Sequence, residues 1–268
     1  MSTPDPTPAY LPTPVGRMHV VVADPGAGPW LVLLHQTPRS WDEFADVLPH
    51  LDDYRVVIPD LPGYGNSPAL PENTIEAAAG AVAAVMDQLG AGRAHVVGHH
   101  FGGLVAYHLA ASAPRRVQSL VLSSTPFIDA AERERRRDAP PFNAVTARSD
   151  GGHLAQLWQR RCDYLAQLDP AVLGRYVRDV LAHPDPDRGH AAVAAYHSEA
   201  GVGRYAGPVL CLASARDPRA FGRRHAILAA FPGAREHVLD AGDISSPETC
   251  PVEFAQAILD FHAELALR

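Results

Sequence analysis

Two adjacent histidines, His99 and His100, stand between glycines in the run Gly98-His99-His100-Phe101-Gly102-Gly103. The run follows a short apolar segment, Ala94–Val97, and precedes an apolar helical one, Leu104–Ala113. An imidazole held by a carboxylate is a competent general base, because the carboxylate selects the tautomer and stabilises the imidazolium formed on proton uptake. Two aspartates follow later strand-like runs: Asp217 in Arg216-Asp217-Pro218, and Asp243 after Gly242. A metal site built from His99, His100, Asp217 and Asp243 is disfavoured, because adjacent histidines on a tight turn point apart. Gly63-Tyr64-Gly65 lacks the third glycine and the following helix of a dinucleotide loop.

The elements that must position these residues alternate. Val20–Ala23, Trp30–His35, Arg55–Pro59, Ala94–Gly98, Val117–Ser123 and Val209–Ala213 are short runs rich in Val, Leu and Ile, suited to parallel strands buried on both faces. A helix is expected where Ile75, Ala79, Val82, Met86 and Leu89 recur, capped by Asn73 with Glu76 and ended by Gly90. Such alternation predicts an α/β fold with a mostly parallel sheet flanked by helices. Residues 126–205 hold helical patterns without a strong strand, which predicts a helical cap inserted between two parts of the core, 15–125 and 206–268. Residues 1–14, rich in Pro, Ser and Thr, read as a flexible arm. Arg133, Arg135, Arg136 and Arg137 interleave with Glu132, Glu134 and Asp138 and read as a solvated helix face.

Taken with Asp60-Leu61-Pro62-Gly63-Tyr64-Gly65-Asn66-Ser67 and the His35-Gln36 strand end, the chain resembles the α/β-hydrolase superfamily from about residue 15 onward. The strand–Gly-x-x-x-Gly-Gly–helix segment is similar to that family's nucleophile elbow, a strained turn that lifts one side chain above the sheet. Gly98 and Gly102 remove side chains that would collide there, and the helix N-terminus offers N–H groups to a developing anion. The resemblance implies serine, cysteine or aspartate at position 100 and histidine after the last strand. This chain has His100 and Asp243 instead, while Asp217 matches the family's acid. A family backbone would bring positions 100 and 243 within hydrogen-bond reach, giving a His100–Asp243 dyad with Asp217 nearby. It also implies an oxyanion hole from the backbone N–H groups of Phe101 and Gln36. His35, His99 and Trp158 are candidate substrate contacts, Trp158 as a pocket wall in the cap; His99 also suits a local packing role.

A formal net charge of −7 argues against nucleic acid and anionic membranes as partners. No apolar run approaches the roughly 18 residues of a membrane span. Three widely spaced cysteines suit a reducing cytosol and match no zinc pattern, so a cytoplasmic location is expected, with no cofactor and no metal. The expected partner is a small-molecule substrate, with homodimerisation left open.

Three functions compete. One is a cofactor-free enzyme using His100 for acid/base chemistry: C–C bond formation or cleavage, cyclisation, elimination or isomerisation. Abundant Pro, Ala and Arg associate it with specialised metabolism in a GC-rich bacterium. The second is a hydrolase of unusual mechanism, in which His100 activates water or acts as nucleophile. The third is a non-catalytic ligand-binding protein, as some plant hormone receptors share this fold. Fold alone does not choose among them.

Overall fold

The computed structural model describes residues 5–165 and 169–267. The strands are β1 (Thr7–Thr13), β2 (Gly16–Ala23), β3 (Trp30–Leu34), β4 (Arg55–Pro59), β5 (Ala94–His99), β6 (Val117–Ser123), β7 (Val209–Ser214) and β8 (Arg235–Leu239). They form one sheet in the order β1-β2-β4-β3-β5-β6-β7-β8. β1 and β2 run antiparallel to their neighbours and the rest pair in parallel. Successive side chains of a strand point to opposite faces, so a sheet covered on both sides needs apolar residues at every position. In β3, Val32 and Leu34 enter one core with Val82, Val85 and Val105, while Leu31 and Leu33 enter the other with Phe44, Phe254 and Ile258.

The helices are α1 (Ile75–Gln88), α2 (Phe101–Ser112), α3 (Ala130–Arg137), α4 (Gly152–Cys162), α5 (Pro170–Ala182), α6 (Arg188–Ala195), α7 (Arg224–Ala230), α8 (Ser246–Thr249) and α9 (Pro251–Ala266). α3 to α6 all lie between β6 and β7. Helix α1 begins one residue later than expected. Thr74, not Asn73, caps it by accepting from Ala77 N (3.1 Å), while Asn73 bonds Arg188 through both its amide nitrogen and oxygen.

Within the N-terminal stretch expected to be a flexible arm, residues 7–13 are β1, paired residue for residue with β2. An edge strand tolerates proline because it needs only one hydrogen-bonding side, which is how Pro8 and Pro12 sit in it. The Asp-Leu-Pro-Gly-Tyr-Gly-Asn-Ser motif is architectural. The buried Asp60 carboxylate accepts from Trp41 N and Asn66 N, both at 2.8 Å, and meets His19 Nδ1 at 2.7 Å. One side chain thereby ties β2, the end of β4 and the loop after it. Among the described residues, no helix is long and apolar enough to cross a membrane.

Candidate active site

β5 ends and α2 begins at His100, whose φ of 48° and ψ of −108° place it in sparsely populated backbone space. A Cβ on Gly98 would meet the backbone of Gly102 and Gly103, and one on Gly102 would meet the carbonyls of Leu34 and His35. Only glycine allows so tight a passage from strand to helix. Among the described residues, the non-glycine residues with positive φ are His100 and Ser124, and both line the same cavity of about 190 Å³.

The carboxylate that meets His100 is Asp217, with Nε2 2.8 Å from Oδ2. The expected His100–Asp243 dyad is thus corrected to His100–Asp217. An imidazole reaches much farther from the backbone than a serine hydroxyl, so a histidine on the elbow spans directly to the acid. Asp217 is buried, and its other oxygen accepts from Arg219 N (2.8 Å) and Ala220 N (3.1 Å). Burial alone would raise its pKa, but His100 and these N–H groups outweigh it and hold the carboxyl below its ordinary range. Asp243 is buried on its own turn instead, its Oδ1 accepting from Ser245 N (2.8 Å) and Thr249 Oγ1 (2.9 Å). These bonds close the turn that leads into α8, an Asx-type arrangement in which the carboxylate accepts from the N–H two residues on.

The oxyanion donors fare differently. Phe101 N is at the first position of α2, where a backbone N–H has no intrahelical acceptor. Gln36 N is already engaged, donating to Glu43 Oε2 at 2.8 Å. The Gln36 side-chain amide donates to Glu43 Oε1 (2.5 Å) and to the Ile244 carbonyl (2.9 Å). Gln36 lines the cavity, but its backbone N–H is bound to the scaffold. Glu43 is completely buried, and that burial pushes its carboxyl up to about 7.

Two of the proposed substrate contacts are structural. His35 is fully buried; Leu61 N donates to its Nε2 (2.8 Å), so Nδ1 carries the proton and donates to the Gln36 carbonyl (2.8 Å). His99 is also fully buried, between Ser123 Oγ (2.9 Å) and the Ile244 carbonyl (3.2 Å), and burial holds it well below the ordinary imidazole range. It is neutral and stacks edge-on against His100, ring centres 4.7 Å apart. Trp158 is 38% exposed and lines no part of the cavity. On α4 the inward positions are Leu157 and, one turn on, Arg161.

The cavity walls hold Arg161, which carried no expectation, beside residues read otherwise. Arg161 and Tyr176 come from α4 and α5, and Arg135, Arg136, Arg219 and Arg223 surround them. Arg135 and Arg136, expected to be solvated, line the cavity while sharing Glu132. The legible signal for Arg161 was helical phase, since it lies four residues after the apolar Leu157.

Comparison with known proteins agrees with this architecture. A family model described as alpha/beta hydrolase fold matches residues 29–247. The chain belongs to the α/β-hydrolase fold family. It is 36% identical over 131 residues to epoxide hydrolase 3 of Siraitia grosvenorii, covering 47% of this chain and 39% of that protein. It is 46% identical over 84 residues to the lipase LipV of Mycobacterium tuberculosis, covering 31% of each. The chain thus spans less than half the length of these curated relatives. The crystal structure of a hydrolase from Pseudomonas aeruginosa PA01 superposes with a TM-score of 0.79 at 26% identity, covering 95% of this chain and 98% of that one.

Proposed function

We propose that this α/β-hydrolase-fold chain is a hydrolytic enzyme acting on a small organic molecule, with His100 as general base and Asp217 as its orienting acid. The observation that carries the reading is His100 on the elbow, lining the cavity, with Nε2 2.8 Å from the buried Asp217 carboxylate. Asp217 favours the tautomer protonated at Nε2, which leaves the Nδ1 lone pair to accept a proton from water. The hydroxide attacks an electrophilic carbon of the substrate. The imidazolium, stabilised by Asp217, then returns its proton to the leaving oxygen. Phe101 N–H meets the developing negative charge. The segment 126–205 acts as the cap that closes the cavity over this chemistry. The epoxide hydrolase and the lipase among the relatives support hydrolysis over other chemistry.

A second reading rests on a different observation. With Gln36 N–H committed to Glu43, one backbone donor remains for an oxyanion, which is weaker support for a tetrahedral intermediate. The same pair would then abstract a proton without adding water, as in elimination, cyclisation, isomerisation or C–C chemistry.

Single-turnover reactions in oxygen-18 water, over a panel of esters, lactones and epoxides, test the proposal. Direct water attack puts label into the product in the first turnover, with no adduct on the protein and no labelling by serine-directed organophosphonates. Replacement His100→Ala should lower the rate by about 10²–10⁴-fold. Exchange of solvent deuterium into a substrate C–H, without oxygen-18 incorporation, would select the second reading. Binding with neither would leave a ligand-binding protein.

A further inference from the structure

Arg161 is 2% exposed and lines the cavity that holds His100. Its Nη2 donates to Ser245 Oγ, and its guanidinium carbon stands 4.7 Å from the centre of the Tyr176 ring. Its Nε is buried with no hydrogen-bond partner, and Arg161 makes no ion pair among the described residues. The nearby acids Glu43 and Glu248 are engaged elsewhere, by Gln36 and Arg39. Burial pulls its pKa down, with Arg39 adding to that, and Tyr176, Glu248 and Glu43 offset it only in part. Buried guanidinium groups normally pair with carboxylates, because desolvating a lone charge is costly. Arg219, also on the wall, lies over the Phe142 ring at 3.9 Å. Five arginines and no carboxylate line the cavity of a chain whose net charge is −7. The positive charge is thus local to the cavity.

We propose that the substrate of this site carries a carboxylate, received by the Arg161 guanidinium. The proposal rests on the hydrolytic reading of the same site and names its substrate class as small organic acids. A planar guanidinium whose buried Nε has no partner suits a carboxylate, which can accept from Nε and from a second N–H of the same fork. Tyr176 holds the guanidinium plane from one side. The arginines around it are shared with Glu132 or stacked on rings, so they provide attraction at longer range rather than a second fork.

Calorimetric titration with benzoate, benzamide and phenyl phosphate reads the discrimination without turnover. Benzoate should bind the full-length protein in the millimolar range or tighter, and at least about tenfold more tightly than the neutral, near-isosteric benzamide. Replacement Arg161→Gln should remove that preference, Arg161→Lys should restore part of it, and Arg219→Gln should change it less than Arg161→Gln. His100→Ala should retain it, so a failure of the hydrolytic reading in the oxygen-18 experiment is distinguishable from a failure here. Equal affinity for benzoate and benzamide in the wild-type protein overturns the proposal, as does no measurable benzoate binding. Tighter binding of phenyl phosphate overturns the carboxylate assignment. Because the ligand comparison is made on the unaltered protein, it decides the matter even if an Arg161 variant fails to fold.

Discussion

At the scale of single residues, the proposed mechanism gives the two aspartates of the site different roles, and single replacements separate them. Asp217→Asn leaves the shape of the acid but removes the charge that orients and stabilises the His100 ring. It should lower turnover by about 10²–10⁴-fold with little change in melting temperature. Asp243 holds the turn of α8 through Ser245 N and Thr249 Oγ1. Asp243→Ala should therefore cost about 1 kcal/mol of stability, the scale of lost buried hydrogen bonds, while leaving most of the turnover, read by thermal melts beside steady-state rates. Matching rate losses in both variants would put Asp243 back into the chemistry. Gly98→Ala belongs to the same scale. Its methyl meets the backbone of Gly102 and Gly103, so the elbow has to open and activity should fall together with stability.

At the scale of elements, a buried histidine pair joins the sheet to the last helix. His95 on β5 and His262 on α9 stack with ring centres 3.9 Å apart, and Ser119 on β6 bridges them at 2.7 and 2.8 Å. Burial pushes His95 down to about 4, and burial with the neighbouring ring pushes His262 down to about 3. Between about pH 6.5 and pH 4 the unfolded chain binds protons that the folded chain refuses, so this pair makes stability fall as pH falls. Glu43 acts with the opposite sign over an overlapping window. Its carboxyl titrates near 7 when folded and 4.5 when unfolded, so its share of stability falls as pH rises between them. The wild-type profile should be flattened accordingly. Urea unfolding of His262→Gln at a series of pH values should show a shallower acid-side loss than the wild type. An identical pH profile in the two proteins would contradict the histidine assignment.

At the scale of the whole molecule, the segment between β6 and β7 is tied to the sheet by buried charge as well as by apolar contact. Arg39, fully buried after β3, bonds Asp179 on α5 at 2.8 Å and Glu248 on α8 through two nitrogens. Burial works against its charge, yet Glu248, Asp179 and Glu43 hold it well above the ordinary guanidinium value. Removing one member of such a group leaves the others uncompensated in a dry interior. Arg39→Met should therefore destabilise by about 3–5 kcal/mol, seen as a lower urea midpoint. A loss below about 1 kcal/mol would place the network's value elsewhere.

By itself the sequence determined the strand–helix alternation, the tight strand-to-helix turn at His100, and the presence of His100 and Asp243 where the family resemblance implied other residues. Each is written locally, in short apolar runs, in glycine spacing, or in the identity of one residue. Pairing depends on where side chains end up. Asp243 and Asp217 follow different strands, and the family resemblance put Asp243 within reach of His100 with Asp217 only nearby. The reach of an imidazole and the turn that captures Asp243 decided between them. His35 and His99 carried chemistry in their type but not in their position, because both rings had partners on both nitrogens once the chain folded. Trp158 suggests a pocket wall by its type, whereas helix phase puts Leu157 and Arg161 inside. β1 was obscured by its prolines, which are acceptable only because tertiary pairing places that strand at an edge. The positive cavity was legible in no single stretch. Its arginines come from α3, α4 and the loop after β7, and only the closing of that helical segment over the sheet brings them together around His100.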